Sequence, residues 1–68
     1  MRMREISLEG GARPMMRARE EIAALNGVVA AEPVTGRSAL RVWRSEDVSD
    51  EALLSAALRG GARARIVR

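Results

Sequence analysis

The fold of this chain is decided by residues 3–29, which read MREISLEGGARPMMRAREEIAALNGVV. Residues 3–8 alternate, with Ile6 and Leu8 on the face opposite Ser7, as in a half-buried β-strand. Two glycines end this alternation, and apolar residues then recur at spacings of three and four, as on one face of a helix. The stretch therefore predicts a strand, a tight connection and a helix.

The predicted helix runs from Pro14 to Leu25. Pro14 suits the first turn, because the N–H group that proline lacks has no partner there. Gly27 suits the end, because glycine adopts the left-handed conformation that often follows a last helical turn. The inner stripe of this helix consists of Met15, Ala18, Ile22 and Leu25.

The rest of the chain adds three strands and a second helix. Strands are predicted over Val28–Val34, Ser38–Arg44 and Ala62–Val67, and a helix over Asp50–Arg59. Ser49 is a suitable N-cap for this helix. Its inner stripe consists of Leu53, Ala56 and Ala57, with Leu54 or Leu58 at the margin.

This order of elements predicts a single α+β domain over residues 1–68 with a ferredoxin-like βαββαβ fold. Such a fold is a sandwich, in which a four-stranded antiparallel sheet carries two helices on one face. Its usual strand order, 4-1-3-2, places the second strand at an edge. Pro33 favours the same position, because proline cannot donate a hydrogen bond to a neighbouring strand.

The composition excludes several kinds of chemistry. The chain has no Cys, His, Tyr or Lys, so it lacks thiolate metal ligands, disulfides and the nucleophiles and near-neutral bases that these four residue types supply. Its acidic pairs, Glu20-Glu21 and Glu46-Asp47, have the pattern of a solvated surface. We therefore predict that the protein is not an enzyme and uses no cofactor.

The chain is short and its apolar residues are small. It has twelve alanines and no Phe, so we expect a modest core or support from a partner. No apolar run is long enough for a membrane span or a signal peptide. We therefore expect no membrane contact and a cytoplasmic location.

The net charge of +3 is unevenly distributed along the chain. Residues 1–34 carry five Arg and five Glu, whereas residues 35–68 carry seven Arg and four acidic residues. The arginines of this excess include Arg41, Arg44, Arg63, Arg65 and Arg68. They are either ordinary solvated arginines or a weak footprint for an anionic partner.

Four short features, spread over nearly the whole chain, follow one family's pattern. Leu25–Val28 closes the first helix with Leu-Asn-Gly-Val, and Val48–Ala57 leads into the second helix. Gly61–Ala64 opens the last strand, and Trp43 stands where an aromatic residue often ends the third. In this order and spacing they resemble the heavy-metal-associated domain of copper chaperones and metal-pumping ATPases. The resemblance implies a ferredoxin-like fold and a link to metal transport.

The resemblance also implies a metal loop, in which two cysteines between the first strand and the first helix bind a soft cation. Counting from the end of the helix places these positions at Gly11 and Pro14. Counting from the end of the strand places them at Arg13 and Met16. Neither count reaches a thiol. The degenerate metal loop consists of Gly10, Gly11, Ala12, Arg13, Pro14, Met15 and Met16.

The thioethers of Met15 and Met16 leave one metal alternative open, because thioethers bind Cu(I). However, consecutive helical residues point about 100° apart, and the cation of Arg13 repels a metal ion. We therefore predict that no metal is bound, and Met15 and Met16 are the only candidate ligands.

The sheet face without helices is the second candidate site. The alternation of the third strand turns Leu40 and Val42 inwards and Trp43 outwards. The family alignment favours the opposite register, which would bury Arg41 at a cost in free energy, so we predict an outward Trp43. The predicted interaction surface consists of Arg41, Trp43, Arg63 and Arg65, with Glu5 and Ser7 beside them.

These features predict a non-catalytic interaction or regulatory module that binds a protein partner or forms a dimer, through a sheet edge or the Trp43 face. One alternative is a metal-transport accessory that uses Met ligands. Another is a binder of nucleic acid or anionic ligands, because RNA-binding domains of this topology stack bases on aromatic residues of the open face. A third is that the arginines only form cross-strand pairs.

Overall fold

The order of secondary structure follows the predicted βαββαβ pattern. The computed structural model describes residues 2–67. Its elements are β1 (Arg2–Glu9), α1 (Ala12–Ala23), β2 (Val28–Pro33), β3 (Ala39–Arg44), α2 (Asp50–Arg59) and β4 (Arg63–Val67). The strands form one antiparallel sheet in the order β2-β3-β1-β4. The ferredoxin-like fold is therefore confirmed, and β2 lies at an edge as Pro33 predicted.

The core lies between the helices and one face of the sheet. Ile6 of β1 and Leu40 of β3 are fully buried beneath Ile22 of α1 and Leu53 of α2. Between these larger groups the helices contribute small side chains, namely Ala18, Ala56 and Ala57. These alanines supply little apolar bulk, so the helices come close to each other and to the sheet. The inner stripe predicted for α2 is confirmed, and that of α1 is confirmed for Met15, Ala18 and Ile22.

Gly60, at the end of α2, shows how closely the helices approach. A Cβ atom placed on Gly60 would lie 2.5 Å from the backbone nitrogen of Ala18 and 2.6 Å from its Cα. Ordinary contacts of a Cβ atom begin at about 3.4 Å, so only glycine fits here without a shift of α1. The end of α2 therefore fixes the position of the middle of α1.

The predicted bounds of the first helix were wrong by two residues at each end. α1 begins at Ala12, not Pro14, because Gly11 takes a φ of 87° and the chain enters the helix directly. Pro14 still lies in the first turn, whose N–H groups have no partner within the helix. At the other end, Leu25 lies beyond α1 in a turn but still packs against the core.

Candidate functional site: the metal-loop region and the open sheet face

The predicted metal loop is mostly helix. Only Gly10 and Gly11 connect β1 to α1, with φ angles of 122° and 87°. The residues from Ala12 to Met16 form the start of α1, so the loop as predicted was too long. The connection lies beside the end of α2, because a Cβ atom on Gly10 would lie 3.8 Å from the carbonyl oxygen of Gly61.

The residues of this region do not fit a soft metal ion as cargo. Met15 is half-buried and packs against the core, whereas Met16 is 63% exposed. The two thioethers therefore lie in different surroundings, and the cations of Arg13 and Arg17 are exposed in the same part of α1. Across residues 2–67, no group of three Cys, His, Asp or Glu side chains could hold a metal ion.

The open sheet face presents its one aromatic residue in an apolar setting. Leu40 and Val42 are fully buried against the helices, so Trp43 and Arg41 lie on the other face, as the alternation predicted. Trp43 is half-buried and stands between Met3 of β1 and Ala30 of β2. We call Met3, Ala30 and Trp43 the apolar corner. Met3 is 48% exposed, so the corner is accessible from solvent.

Arginines and glutamates alternate beside the apolar corner. Arg41 lies between Glu5 of β1 and Glu32 of β2 in the sheet register. The carboxylate of Glu5 is also approached by the guanidinium of Arg37, at 3.2 Å, and lies 3.9 Å from Nε of Arg41. Cross-strand pairs of this kind stabilise a sheet by a few tenths to about 1 kcal/mol. These contacts agree in part with the alternative that Arg41 only forms cross-strand pairs.

Arg63 and Arg65 occupy the β4 side of the same face. They stand opposite Glu9 and Ser7 of β1 and are exposed. Neither forms a salt bridge or a side-chain hydrogen bond with any residue in the part of the chain that the structure describes. These two cations are therefore available for a partner.

A cavity beside Arg63 and Arg65 is too small for a substrate. It measures about 130 Å³ and is lined by Ser7, Glu9, Arg63, Ala64 and Arg65. Binding sites for small molecules usually enclose about 300–1,000 Å³. This face therefore offers a surface for contact, and its cavity does not have the volume of a typical active site.

Arg44 lies on the opposite side of the sheet from Arg41, Arg63 and Arg65, with which it was grouped in the basic excess. It is only 6% exposed, donates a hydrogen bond to the carbonyl oxygen of Val48, and lies 2.8 Å from Oδ1 of Asp50. Arg4 approaches the same oxygen at 3.6 Å. Grouping Arg44 with solvated arginines was therefore wrong. Its position in register with Leu40 and Val42 was the signal that could have revealed this. Arg68, also in that group, lies outside the described residues.

Solved structures of other proteins share this fold. The chain aligns with the copper-binding domain of HMA7, a P-type ATPase, at a TM-score of 0.88 and 20% identity, over 100% of this chain and 96% of that one. It aligns with the yeast copper transporter domain Ccc2a at 0.87 and 16% identity, covering 100% and 97%. The N-terminal domain of PacS from Synechocystis aligns at 0.85 and 21% identity, covering both chains fully.

These similarities show the fold alone, since all three identities are low. No family pattern matches the sequence, and no curated protein matches it. The expected ferredoxin-like fold is thus supported by these structures, and the absence of cysteine is a fact of the sequence. No helix within residues 2–67 is both long and apolar enough to cross a membrane.

Proposed function

We propose that this domain is a non-catalytic protein-interaction module, which binds a second copy or another protein through the open sheet face. The observation that carries the proposal is the apolar corner, where Trp43 is flanked by Met3 and by the mixed charges around Arg41. Trp, Met and Arg are enriched in protein interfaces, whereas Lys and Glu are depleted there. The degenerate metal loop supports the same reading by offering no suitable ligand set.

The charges of the open face favour a protein over a nucleic acid. The four arginines of this face are accompanied by three glutamates on neighbouring strands, and together they are Arg37, Arg41, Arg63, Arg65, Glu5, Glu9 and Glu32. A nucleic acid requires several uncompensated cations along its phosphates. It also gains from several aromatic residues on which bases stack, and this chain has one.

A metal-transport accessory role is the second candidate, and the fold favours it. Of the three solved structures named above, one is a copper-binding domain, one is a copper transporter domain and one is the N-terminal domain of PacS. On this chain such a role would involve docking to a metal-handling protein, with Met16 as the one well-exposed thioether of the degenerate metal loop. The first candidate is preferred because the loop lacks a ligand set and the apolar corner is present.

Sedimentation equilibrium of the wild-type protein and the Trp43→Ala variant tests the first candidate. We expect a homodimer, weakened in the variant by about 2 kcal/mol, or roughly 30-fold, as for a buried aromatic anchor. Met16→Ala is the matched control, since it removes an exposed apolar side chain from α1 and should leave association unchanged. A wild-type protein that stays monomeric at high concentration would contradict the homotypic form of the proposal.

Titration with Cu(I) under reducing conditions, against a competing chelator, tests the second candidate. We expect no binding tighter than about micromolar, which corresponds to roughly 8 kcal/mol. A stoichiometric complex that survives the chelator and is lost in both Met15→Ala and Met16→Ala would establish the thioether site instead.

A further inference from the structure

The two edges of the sheet differ in how well they are protected against another strand. The β2 edge carries a register shift between Val28 and Ala30 and ends in Pro33. Arg19 of α1 also donates from Nε to the carbonyl oxygen of Ala31, at 2.6 Å. Bulges, prolines and covered backbone groups are the usual protection of a sheet edge. The β2 edge is therefore protected against pairing with another strand.

The β4 edge is regular. β4 pairs with β1 over five consecutive positions, from Glu5 opposite Val67 to Glu9 opposite Arg63. Its sequence, RARIV, contains neither proline nor glycine. Its other side faces no strand of residues 2–67, since β4 is the last strand in the sheet order. A row of backbone groups on that side is therefore free to pair with an extended segment.

An apolar shelf lies beside this edge on the helix side. Leu58 of α2 is 64% exposed, although it is one of the larger apolar side chains of the molecule. Leu54, one turn earlier, is half-buried, as are Ala64 and Ile66 of β4. A groove lined by Leu54, Ser55, Leu58, Arg63 and Ala64 connects the helix to the strand. Apolar side chains of an added strand would find contacts here.

The other side of the same edge is cationic. Arg63 and Arg65 point to the open face, alternate with Ala64 and Ile66 along β4, and form no salt bridge with the rest of residues 2–67. Since side chains of a strand alternate between faces, the edge offers an apolar row on one side and a cationic row on the other.

We propose that the free edge of β4 binds an extended segment of a partner protein in which apolar and acidic residues alternate. The added strand would pair with the backbone of β4, place its apolar side chains against Leu54 and Leu58, and place its carboxylates beside Arg63 and Arg65. This is recognition by strand addition, in which backbone hydrogen bonds give affinity and alternate side chains give specificity.

A second copy of this chain fits the β4 edge less well. If the β4 strands of two copies paired in antiparallel fashion about their central residues, the two Arg65 side chains would face each other and repel. If the β2 strand of a second copy paired with β4, its register shift and Pro33 would interrupt the backbone hydrogen bonds. The β4 edge is also separate from the apolar corner, so this proposal rests on the proposed function only in taking the partner to be a protein.

To test the proposal, the 15N-labelled protein is titrated with a synthetic peptide of alternating Glu and Val that is acetylated and amidated at its ends. Amide chemical shifts and hydrogen exchange rates are measured during the titration. We expect saturable shifts and slowed exchange confined to residues 63–67 and to α2 around Leu58. A peptide of alternating Lys and Val should bind at least tenfold more weakly.

Three variants separate this proposal from the open-face proposal. Leu58→Asp and Arg65→Glu should each weaken peptide binding at least tenfold, and exposed Leu58 can be changed without disturbing the core. Trp43→Ala should leave peptide binding unchanged even where it abolishes self-association. Any of three results would overturn the strand-addition proposal. These are chemical shift changes centred on β2 or on Trp43, equal binding of the two peptides, and no shift change at millimolar peptide.

Discussion

The two helices of this domain begin in different ways. At the start of α2, the Oγ atom of Ser49 accepts a hydrogen bond from the backbone N–H of Ala52 at 3.1 Å, and Asp50 and Glu51 supply acid in the first turn. At the start of α1, Gly11 provides no side-chain cap and the first turn contains Arg13 but no acid. Because β1 and β3 are antiparallel, these two starts lie at opposite ends of the sheet.

The start of α2 is therefore fixed by its own sequence, whereas the position of α1 is fixed by packing. Capping and the helix dipole favour a start of α2 at Asp50. The cation of Arg13 opposes the dipole at the start of α1, so that helix depends on contacts further along. The contact of Gly60 with the backbone of Ala18 is one of these contacts.

The largest effect is expected from Gly60→Ala, which acts on the packing that places α1. The new Cβ atom would lie within 2.6 Å of the backbone of Arg17 and Ala18, which cannot move as a side chain can. Overpacking costs about 1–3 kcal/mol, and we expect about 3 kcal/mol from urea unfolding. Gly36→Ala is the control, since its φ of 82° carries strain but nothing lies within 4 Å. It should cost about 1–2 kcal/mol, and equal losses would contradict the steric argument.

Asp50→Ala should have the next largest effect, because it acts on the side chains that hold the start of α2. The change leaves the guanidinium of Arg44 buried without its carboxylate partner at 2.8 Å. Breaking a buried ion pair costs about 3–5 kcal/mol, but the side chain of Asp50 is 37% exposed, so we expect about 2 kcal/mol. Glu51→Ala removes a neighbouring acid from the same turn and should cost only about 0.5 kcal/mol. If the two variants lose the same stability, the pair with Arg44 contributes nothing.

The smallest effect is expected from Arg13→Glu, which gives α1 the charge that α2 already has. An acid in the first turn should raise the free energy of unfolding by about 0.5 kcal/mol. Arg13→Gln removes the cation without adding an anion and should give a smaller gain in the same thermal or urea unfolding measurement. A loss of stability in Arg13→Glu would mean that Arg13 makes a favourable contact at this end.

The same contrast explains where sequence prediction succeeded. The bounds of α2, from Asp50 to Arg59, are confirmed because Ser49 and the acids after it act locally. The bounds of α1 were wrong, since Pro14 fits any position of the first turn and does not specify the first residue. The edge position of β2 was predictable because the usual strand order of this fold places it there and Pro33 favours an edge.

The candidate surfaces were predictable only in part. Alternation placed Arg41 and Trp43 on the open face, and the structure has them there. Alternation also places Arg44 on the buried face with Leu40 and Val42, but it does not reveal the partners of Arg44, which are the carbonyl oxygen of Val48 and the carboxylate of Asp50. Leu58 is exposed on α2, and its position beside the last strand of the sheet that residues 2–67 form could be recognised only from the sheet order. The roles of Arg41, Trp43, Arg63 and Arg65 in binding stay predictions.

The register of β1 has a practical consequence for labelling. Arg2 begins β1, Val67 ends β4, and the two strands are antiparallel neighbours, so both lead out of the sheet at one end. Met3 pairs with Trp43 at that same end. A purification tag fused beyond either strand would therefore lie beside the apolar corner and should be cleaved before association is measured. Conversely, an acceptor dye attached there would lie near the only aromatic side chain of the chain, so energy transfer from Trp43 could report on that end of the domain.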